Sequence, residues 1–330
     1  MLNKKIKAAY VFHGFDKVTP DDLRMLTHIN IAFGHCVDSE ISIKHFKQEN
    51  IETILKYKEI NPDLKLLLSV GGWGAGGFSP MAATAENRKK FAESSIAVMN
   101  QLNLDGIDID WEYPCIGSAG IEYSPDDKQN FTLMLAAMRE TLDRNFTSPM
   151  LTIAVGSGKY FIDSTEMDKV APMLDYVSLM TYDSQNNKYC SHHTNLYPMS
   201  DNTVKMFHAA GVPMEKLVLG AAFYSRVWSG VPDNGKGGLG EAVANGGGFG
   251  KSYGELYENC INKNGYTRFW DESAQAPYLY NGDEFISYDD EQSIKAKCDY
   301  IKANNLLGIM YWEHSCDPTR RLLGAINDNL

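Results

Sequence analysis

Residues 105–113 read DGIDIDWEY and carry an acid on every second residue, at Asp108, Asp110 and Glu112, with isoleucine or tryptophan between them. In a β-strand, alternate side chains share one face, so these three carboxyl groups point the same way, roughly 7 Å apart at two-residue spacing. Like charges this close repel each other, and ionised groups are costly to bury. The stretch therefore predicts a strand whose acids serve chemistry rather than packing.

Two other interpretations of the acidic strand stay open on the pattern alone. Alternating acids also occur on the solvated face of an antiparallel sheet. Clustered carboxylates also bind Mg²⁺ or Ca²⁺, as in enzymes that stabilise enolates. No further acids stand clearly at the ends of neighbouring predicted strands, so we expect no metal and no organic cofactor, which sensitivity to EDTA would test.

Eight short apolar or β-branched runs, bounded by Gly, Pro, Asn or Asp, predict β-strands. They lie at 6–12, 28–34, 64–72, 105–111, 150–156, 174–182, 216–223 and 307–312. Amphipathic stretches separate most of them, and those at 85–102 and 124–145 predict helices. Eight near-continuous hydrophobic strands that alternate with helices predict an α/β fold, a closed (β/α)8 TIM barrel. The rival open sheet should carry a Gly-rich phosphate loop after an early strand, and it is disfavoured because no Walker motif occurs.

The seventh and eighth predicted strands are separated by about 80 residues, far more than one crossover needs. This segment is rich in Gly, Tyr and Asn and has a high aromatic content, which disfavours a disordered loop. We therefore predict a small α+β insertion subdomain between strands 7 and 8, on the rim of the barrel. The predicted boundaries are residues 1–228 and 288–330 for the catalytic barrel and residues 229–287 for the insertion subdomain.

Composition restricts the classes of partner. The 330-residue chain has a formal net charge of −11, which argues against nucleic acid or an anionic membrane as its main partner. No apolar run approaches the roughly 18 residues of a membrane span. The six cysteines are scattered without a CxxC pair, so buried thiols are expected rather than a disulfide scaffold or a zinc site. Because no signal-peptide pattern is present, we expect a protein that is cytoplasmic or the mature part of a secreted protein. We also expect a monomer.

The barrel geometry suggests a use for the acids. Residues at the carboxyl ends of barrel strands face the active-site mouth, so Glu112 should emerge there with Asp110 and Asp108 successively deeper. Crowding makes it costly to ionise all three groups together, so one carboxyl should hold its proton near neutral pH. A protonated acid at the mouth can donate to the departing oxygen of a glycosidic bond. Asp110 would stabilise charge beside it, and Asp108 would share a proton with Asp110.

The motif DGIDIDWEYP resembles the DxxDxDxE signature of glycoside hydrolase family 18, the chitinase-like family, at Asp105, Asp108, Asp110 and Glu112. Further motifs of that family follow in the right order along the chain. They are SVGGW at 69–73, LMTYD at 179–183, KLVLGAAFYSRVW at 216–228, and the stretch 285–317. The resemblance covers essentially the whole chain, including the insertion, which marks one chitinase subfamily.

The resemblance implies catalytic roles. It implies that Glu112 is the general acid and later the base, and that the substrate's own 2-acetamido oxygen attacks the anomeric carbon, giving an oxazolinium intermediate and net retention. Asp110 would orient the acetamido group, Asp108 would support Asp110, and Tyr182 would hydrogen-bond the acetamido group. Asp105 lies off the alternating face, so we expect a structural role for it.

The resemblance and the predicted strand ends also imply a set of substrate-binding residues. They are Tyr10, Phe33, Trp73, Met180, Asp183, Tyr224, Arg226 and Trp312. Trp312 would form the aromatic floor under the reacting sugar, because apolar sugar faces stack well on indole. For Tyr10, Phe33 and Trp73, simple packing is the alternative. The pair His192 and His193 is expected to pack a loop rather than to bind metal.

Together these features predict a retaining, endo-acting chitinase, an endo-β-1,4-N-acetylglucosaminidase. Its partners would be chitin or N-acetylglucosamine oligosaccharides, although the sequence leaves exo action open. One alternative is a non-catalytic chitin-binding lectin, but such relatives usually lose the residue at Glu112 or at Asp110. Another is a hydrolase of the same family that acts on peptidoglycan-derived or N-glycan sugars.

Overall fold

The computed structural model describes residues 5–184, 186, 188–244 and 246–330. Its strands are β1 Ile6–Val11, β2 His28–Val37, β3 Glu40–Ser42, β4 Lys65–Gly71, β5 Gly106–Asp110, β6 Met150–Gly156, β7 Tyr176–Met180, β8 Leu217–Ala222, β9 Tyr224–Trp228, β10 Gly248–Ser252, β11 Thr267–Asp271, β12 Ala276–Tyr280, β13 Phe285–Ser287 and β14 Gly308–Trp312. Its α-helices are α1 Pro20–Met25, α2 Gln48–Ile60, α3 Phe78–Ala82, α4 Ala85–Leu102, α5 Asp127–Asn145, α6 Lys159–Asp163, α7 Met167–Val170, α8 Asp201–Ala209, α9 Tyr253–Asn259, α10 Glu291–Ala303 and α11 Arg321–Asn329. Short 3₁₀ turns lie at Phe15–Lys17, Ser118–Gly120, Ala171–Met173, Met214–Lys216 and His314–Cys316, and a π-helical turn lies at Leu196–Ser200.

Parallel strands close into a barrel in the order β1, β2, β4, β5, β6, β7, β8 and β14. Strand β1 pairs with both β2 and β14, and this double pairing seals the ring. Each barrel strand coincides with one of the eight predicted runs, and helix α4 has the predicted bounds. The prediction of a (β/α)8 TIM barrel is confirmed.

Strand β5 shows how the sequence pattern assigns side chains to the two faces of the barrel wall. Ile107, Ile109 and Trp111 belong to the apolar layer between strands and helices, where Trp111 stacks on Phe78 with ring centroids 5.3 Å apart. Burying such a side chain contributes on the order of 1.5–3 kcal/mol. The intervening acids therefore face the barrel interior. Alternate residues of the strand therefore pack against the helices, and the residues between them place their carboxyl groups inside the barrel.

The segment between β8 and β14 contains a second, antiparallel sheet with the strand order β10, β9, β13, β12, β11. Its own apolar cluster includes Trp228, Tyr278 and Phe285. Strand β9 lies before residue 229, so this sheet also takes in residues that the predicted boundaries give to the barrel. The division at residues 228 and 287 stays a prediction.

A buried ion pair ties the second sheet to the barrel. Asp289, which follows β13, accepts hydrogen bonds from Lys297 of α10 at 2.6 Å, from Thr194 at 2.8 Å and from the backbone N–H of Ala222 at 3.0 Å. Both charged side chains are completely buried, and the hydroxyl and amide donors offset the cost of removing the carboxylate from water. The network fixes the ends of β7 and β8, from which site residues project.

Two sequence predictions concern the rest of the molecule. All six cysteines are free thiols, and four of them are buried. Among the helices of the described residues, none combines the length and the apolar character that crossing a bilayer requires.

Candidate active site

A cleft of about 1310 Å³ opens at the carboxyl ends of the barrel strands. Every predicted site residue except Asp108 lines it. These are Tyr10, Phe33, Trp73, Asp110, Glu112, Met180, Tyr182, Asp183, Tyr224, Arg226 and Trp312. Asp108 is fully buried beneath the cleft. It lies two residues before Asp110, on the same face of β5. The structure therefore brings together side chains from seven of the barrel's strand ends or the turns that follow them, although these strands lie far apart in sequence.

Three hydroxyl groups surround the deepest acid, Asp108. Its carboxylate accepts hydrogen bonds from Thr152 at 2.6 Å, from Ser69 at 2.8 Å and from Tyr10 at 2.9 Å. Complete burial raises the pKa of Asp108, whereas these three donors act to lower it. Because the donors come from β6, β4 and β1, they fix the carboxylate at the centre of the barrel.

Asp110, the middle acid, has a different environment. One of its carboxyl oxygens, Oδ1, is buried without a hydrogen-bond partner in the described structure. Burial, followed by the charges of Glu112 and Asp108, holds the pKa of Asp110 well above its ordinary range. A buried carboxyl oxygen without a donor is unfavourable, so this atom is ready to accept a hydrogen bond from a bound ligand.

Glu112 stands at the outer end of the row, just past the last residue of β5. Burial raises the pKa of Glu112 to about 7, and the charge of Asp183 acts in the same direction. The nearby hydroxyl of Tyr113 favours the charged form of this carboxyl and partly opposes the increase. At neutral pH, a large fraction of the Glu112 side chains therefore carries a proton within the cleft.

A set of rings and one ion pair form the wall contributed by β7 and β9. Tyr182 is nearly buried, with its hydroxyl 3.9 Å from the sulfur of Met310, and it packs edge-on against Tyr224 at 6.2 Å. The hydroxyl of Tyr224 is buried without a hydrogen-bond partner in the described structure. The guanidinium of Arg226 donates through Nε and contacts through Nη2 the same carboxylate oxygen of Asp183, each at 2.7 Å.

Trp312 at the end of β14 carries a cluster of aromatic rings. Phe33 stacks on it, with centroids 5.5 Å apart and planes inclined by 19°. Tyr10 and Phe12 lie tilted against it at 5.9 and 5.7 Å. These neighbours hold the indole in place, with one side of the cluster open to the cleft.

Two glycines at the end of β4 shape the opposite wall. A Cβ atom on Gly71 would stand 2.1 Å from the carbonyl oxygen of Asp110, and one on Gly72 would stand 2.7 Å from the ring of Phe33. Both glycines also have positive φ angles, of 124° and 93°. They are therefore required for the turn that leads to Trp73.

Several cleft residues were missed by the sequence analysis: Phe12, His35, Tyr113, Tyr160 and Phe249. Phe12 lies two residues after Tyr10, so strand alternation would have placed both on one face. The aromatic run that begins at Tyr113 continues across the cleft wall to Tyr160, whose ring centroid is 5.2 Å away. Phe249 comes from the Gly-rich part of the insertion, where no periodic signal exists.

The remaining motif residues lie outside the reacting centre. Asp105 is at the amino end of β5, where it pairs with Lys58 at 2.7 Å and accepts the backbone N–H of Leu66 at 2.9 Å. His192 contacts Asp271 at 3.1 Å, and His193 is buried under Tyr224, with ring centroids 5.3 Å apart.

No group of three or more acidic, histidine or cysteine side chains with metal-binding geometry occurs among the residues that the structure describes.

The chain resembles known proteins along most of its length. A family model described as glycosyl hydrolases family 18 matches residues 6–317. Chitinase A1 of Niallia circulans is 39% identical over 313 residues, which are 85% of this chain and 44% of that protein. Chitotriosidase-1 of Mus musculus is 33% identical over 318 residues, which are 88% of this chain and 67% of that protein. The solved structure of a family 18 N-acetylglucosaminidase from Paenibacillus barengoltzii is 48% identical, with a TM-score of 0.96 and coverage of 99% of this chain and 100% of that chain.

Proposed function

The chain belongs to glycosyl hydrolase family 18, and from that premise we propose that it hydrolyses β-1,4-linked N-acetylglucosamine, as a retaining chitinase that works by substrate-assisted catalysis. The observation that carries the proposal is the row of Asp108, Asp110 and Glu112, which ends inside a cleft of about 1310 Å³, where burial raises the pKa of Glu112 to about 7. The chain spans less than half of the length of chitinase A1, one of the proteins it matches, so the activity of any such longer protein is not carried over.

In the first step, Glu112 acts as a general acid. Its proton passes to the glycosidic oxygen as the bond from that oxygen to the anomeric carbon breaks. The pKa of about 7 suits this role, because about half of the acid carries its proton at pH 7 and the protonated form still donates readily. A general acid of this kind typically contributes 10²–10⁴ in rate.

The nucleophile in this proposal is the substrate's own 2-acetamido group. Its carbonyl oxygen bonds to the anomeric carbon as the leaving group departs, which leaves a positively charged oxazolinium ring. The unpartnered oxygen of Asp110 would accept the acetamido N–H, and its carboxylate would stabilise the positive charge. Tyr182, which adjoins Asp110, would hydrogen-bond the acetamido carbonyl.

In the second step, the carboxylate of Glu112 acts as a base. It removes a proton from water while the water oxygen bonds to the anomeric carbon and the bond from that carbon to the acetamido oxygen breaks. The two displacements occur on opposite faces of the same carbon, so the product has the configuration of the substrate. Asp108, fixed by three hydroxyl groups, would hold Asp110 in position during both steps.

The aromatic cluster around Trp312 would supply binding. An N-acetylglucosamine ring presents apolar C–H faces that stack on indole, which orients the sugar relative to the acids beside it. The polar wall would bind its hydroxyl groups, with Arg226 and Asp183 already held in place by their ion pair.

The experiment that tests this proposal follows the anomeric configuration of fresh products. Chitotetraose and the same oligomer without its N-acetyl groups are incubated separately with the protein, and the initial products are examined by ¹H NMR before mutarotation. We expect β-anomers from the acetylated substrate and no turnover of the deacetylated one. The appearance of α-anomers, or equal turnover of both substrates, would contradict substrate assistance. A protein that binds chitotetraose without cleaving it would instead be the lectin.

A further inference from the structure

Phe249 is the most exposed large apolar side chain in the cleft, with 72% of its surface accessible. It lies on β10, the edge strand of the second sheet, directly opposite Arg226 in the antiparallel pairing of β10 with β9. The guanidinium of Arg226 stacks on the phenyl ring at 3.6 Å, and the ring of Tyr224 lies 6.0 Å away. The ring therefore continues the wall formed by Arg226 and projects into the cleft.

The strand that carries Phe249 is firmly held next to β9. The backbone N–H of Lys251 donates to the hydroxyl of Ser225, which donates in turn to the carbonyl of Lys251, each at 2.9 Å. A Cβ atom on Gly250 would stand 2.4 Å from the same hydroxyl, so glycine is needed for this close approach. Phe249 is thus fixed by the residues that follow it as well as by Arg226.

The barrel order shows which end of a bound oligosaccharide meets Phe249. Glu112 follows the fourth strand of the barrel and Trp312 ends the eighth, so the two lie on opposite sides of the mouth. A sugar that lies on Trp312 with its C1 at Glu112 directs its C4 oxygen away from Glu112, because C1 and C4 are opposite atoms of the pyranose ring. The C4 oxygen therefore faces the side of the eighth strand. Strand β9 follows the seventh strand, which pairs with the eighth, so Arg226 on β9 and Phe249 on β10 lie next to that side.

We propose that Phe249 closes the cleft where a second sugar, linked to the C4 oxygen, would have to lie, so that the protein removes single sugars from the non-reducing end. This inference rests on the proposed function and makes Phe249 a specificity-determining residue. The other side of Glu112, lined by Trp73, Tyr113 and Tyr160, remains open for the leaving oligosaccharide. Endo action, which the sequence alone favoured, would need the space that the phenyl ring occupies.

The test uses the full chain and chitotetraose labelled at its reducing end, with products separated at less than 10% conversion. For the unmodified protein we expect free N-acetylglucosamine and labelled trimer as the first products. Phe249→Ala should open the second position and raise the ratio of labelled dimer to labelled trimer by about tenfold or more. Phe249→Trp keeps an aromatic wall and should retain the original ratio. Phe249→Ser serves as a second truncation, and melting curves check the fold of each variant.

Leu133→Ala is the matched control, because Leu133 is an exposed apolar side chain on α5 and does not line the cleft. It should leave the product ratio unchanged. Labelled dimer among the first products of the unmodified protein would overturn the inference. So would a truncation of Phe249 that weakens binding without changing the ratio, since Phe249 would then be a stacking platform. If the protein hydrolyses chitotetraose, the proposed function is supported whether labelled trimer or labelled dimer appears first. If it does not hydrolyse chitotetraose at all, the proposed function itself is contradicted.

Discussion

The hydroxyl of Tyr10 donates a 2.9 Å hydrogen bond to the carboxylate of Asp108, although the two residues are 98 positions apart in the chain. This contact joins the first barrel strand to the fourth across the interior. It also separates two neighbouring acids by environment, because Asp108 is surrounded by hydroxyl donors and Asp110 has an oxygen without one. We therefore expect a structural role for Asp108 and a ligand-binding role for Asp110.

The pH dependence of catalysis should show the state of Glu112. Since the acid form must donate the proton and its pKa is about 7, kcat/KM should fall as the pH rises through 7, with about a tenth of the acid form left at pH 8. Tyr113→Phe removes a hydroxyl that favours the charged form, so the descending limb should move to higher pH.

The pH–rate profiles of the unmodified protein and Tyr113→Phe measure this displacement. Tyr123→Phe is the control, because Tyr123 is an exposed tyrosine that does not line the cleft. A limb that stays in place in Tyr113→Phe, or moves to lower pH, would show that Tyr113 does not hydrogen-bond the Glu112 carboxylate.

Asp110→Asn should trade activity for stability. The pKa of Asp110 is raised on folding, so its contribution to the free energy of unfolding becomes less favourable as the pH rises from about 4 toward the folded-state value. Asparagine does not titrate, so the substitution removes this pH-dependent cost and should raise the melting temperature at pH 7, by roughly 2–4 °C per kcal/mol recovered. The rate should fall by about 10² or more, because the charge that stabilises the oxazolinium is lost.

Asp127→Asn is the matched control for that experiment. Asp127 is equally buried, but its carboxylate accepts hydrogen bonds from Ser79 at 2.7 Å and from the backbone N–H of Ser124 at 2.8 Å. Asparagine has one acceptor oxygen where aspartate has two, so one of these two donors would lose its acceptor. This variant should therefore melt at a lower temperature. Scanning calorimetry at pH 7 compares the two, and a lower melting temperature for Asp110→Asn would refute the assignment of Asp110 as a strained, ligand-directed acid.

Trp73→Ala should weaken binding of the leaving oligosaccharide more than binding of the reacting sugar. Trp73 is 66% exposed and packs edge-on against Tyr113, with centroids 6.5 Å apart, on the open side of Glu112. Loss of one stacking surface should raise KM for chitotetraose by about 2–10-fold. An aryl glycoside with a small leaving group should be affected less, and equal effects on both substrates would place Trp73 elsewhere in the binding mode.

EDTA should leave the rate of chitotetraose hydrolysis unchanged. The carboxylate oxygens of Asp108 already accept hydrogen bonds from three hydroxyl groups, so they are not free to coordinate a cation. If EDTA abolished activity and added Mg²⁺ or Ca²⁺ restored it, the acidic strand would be a metal site.

Periodicity in the sequence was sufficient for the barrel, because each strand buries a near-continuous apolar run whose bounds are set by local breakers. The alternation of acidic and apolar residues on β5 likewise predicted which side chains share the inner face of that strand. The contribution of Phe249 was different, because its position depends on pairing between β10 and β9 and on the close approach that Gly250 permits. Nothing local in a glycine-rich segment encodes such a tertiary contact. The interaction of the Tyr113 hydroxyl with Glu112 was missed for a related reason, since strand alternation assigns the two side chains to opposite faces.

The most direct measurement of the central claim compares Glu112→Gln with the unmodified protein in the hydrolysis of chitotriose at pH 6. Glutamine has the same shape but cannot donate a proton to the glycosidic oxygen, so kcat should fall by about 10²–10⁴. The melting temperature and the affinity for chitotriose should be retained. Turnover within a few-fold of the unmodified protein, with the fold intact, would contradict the account.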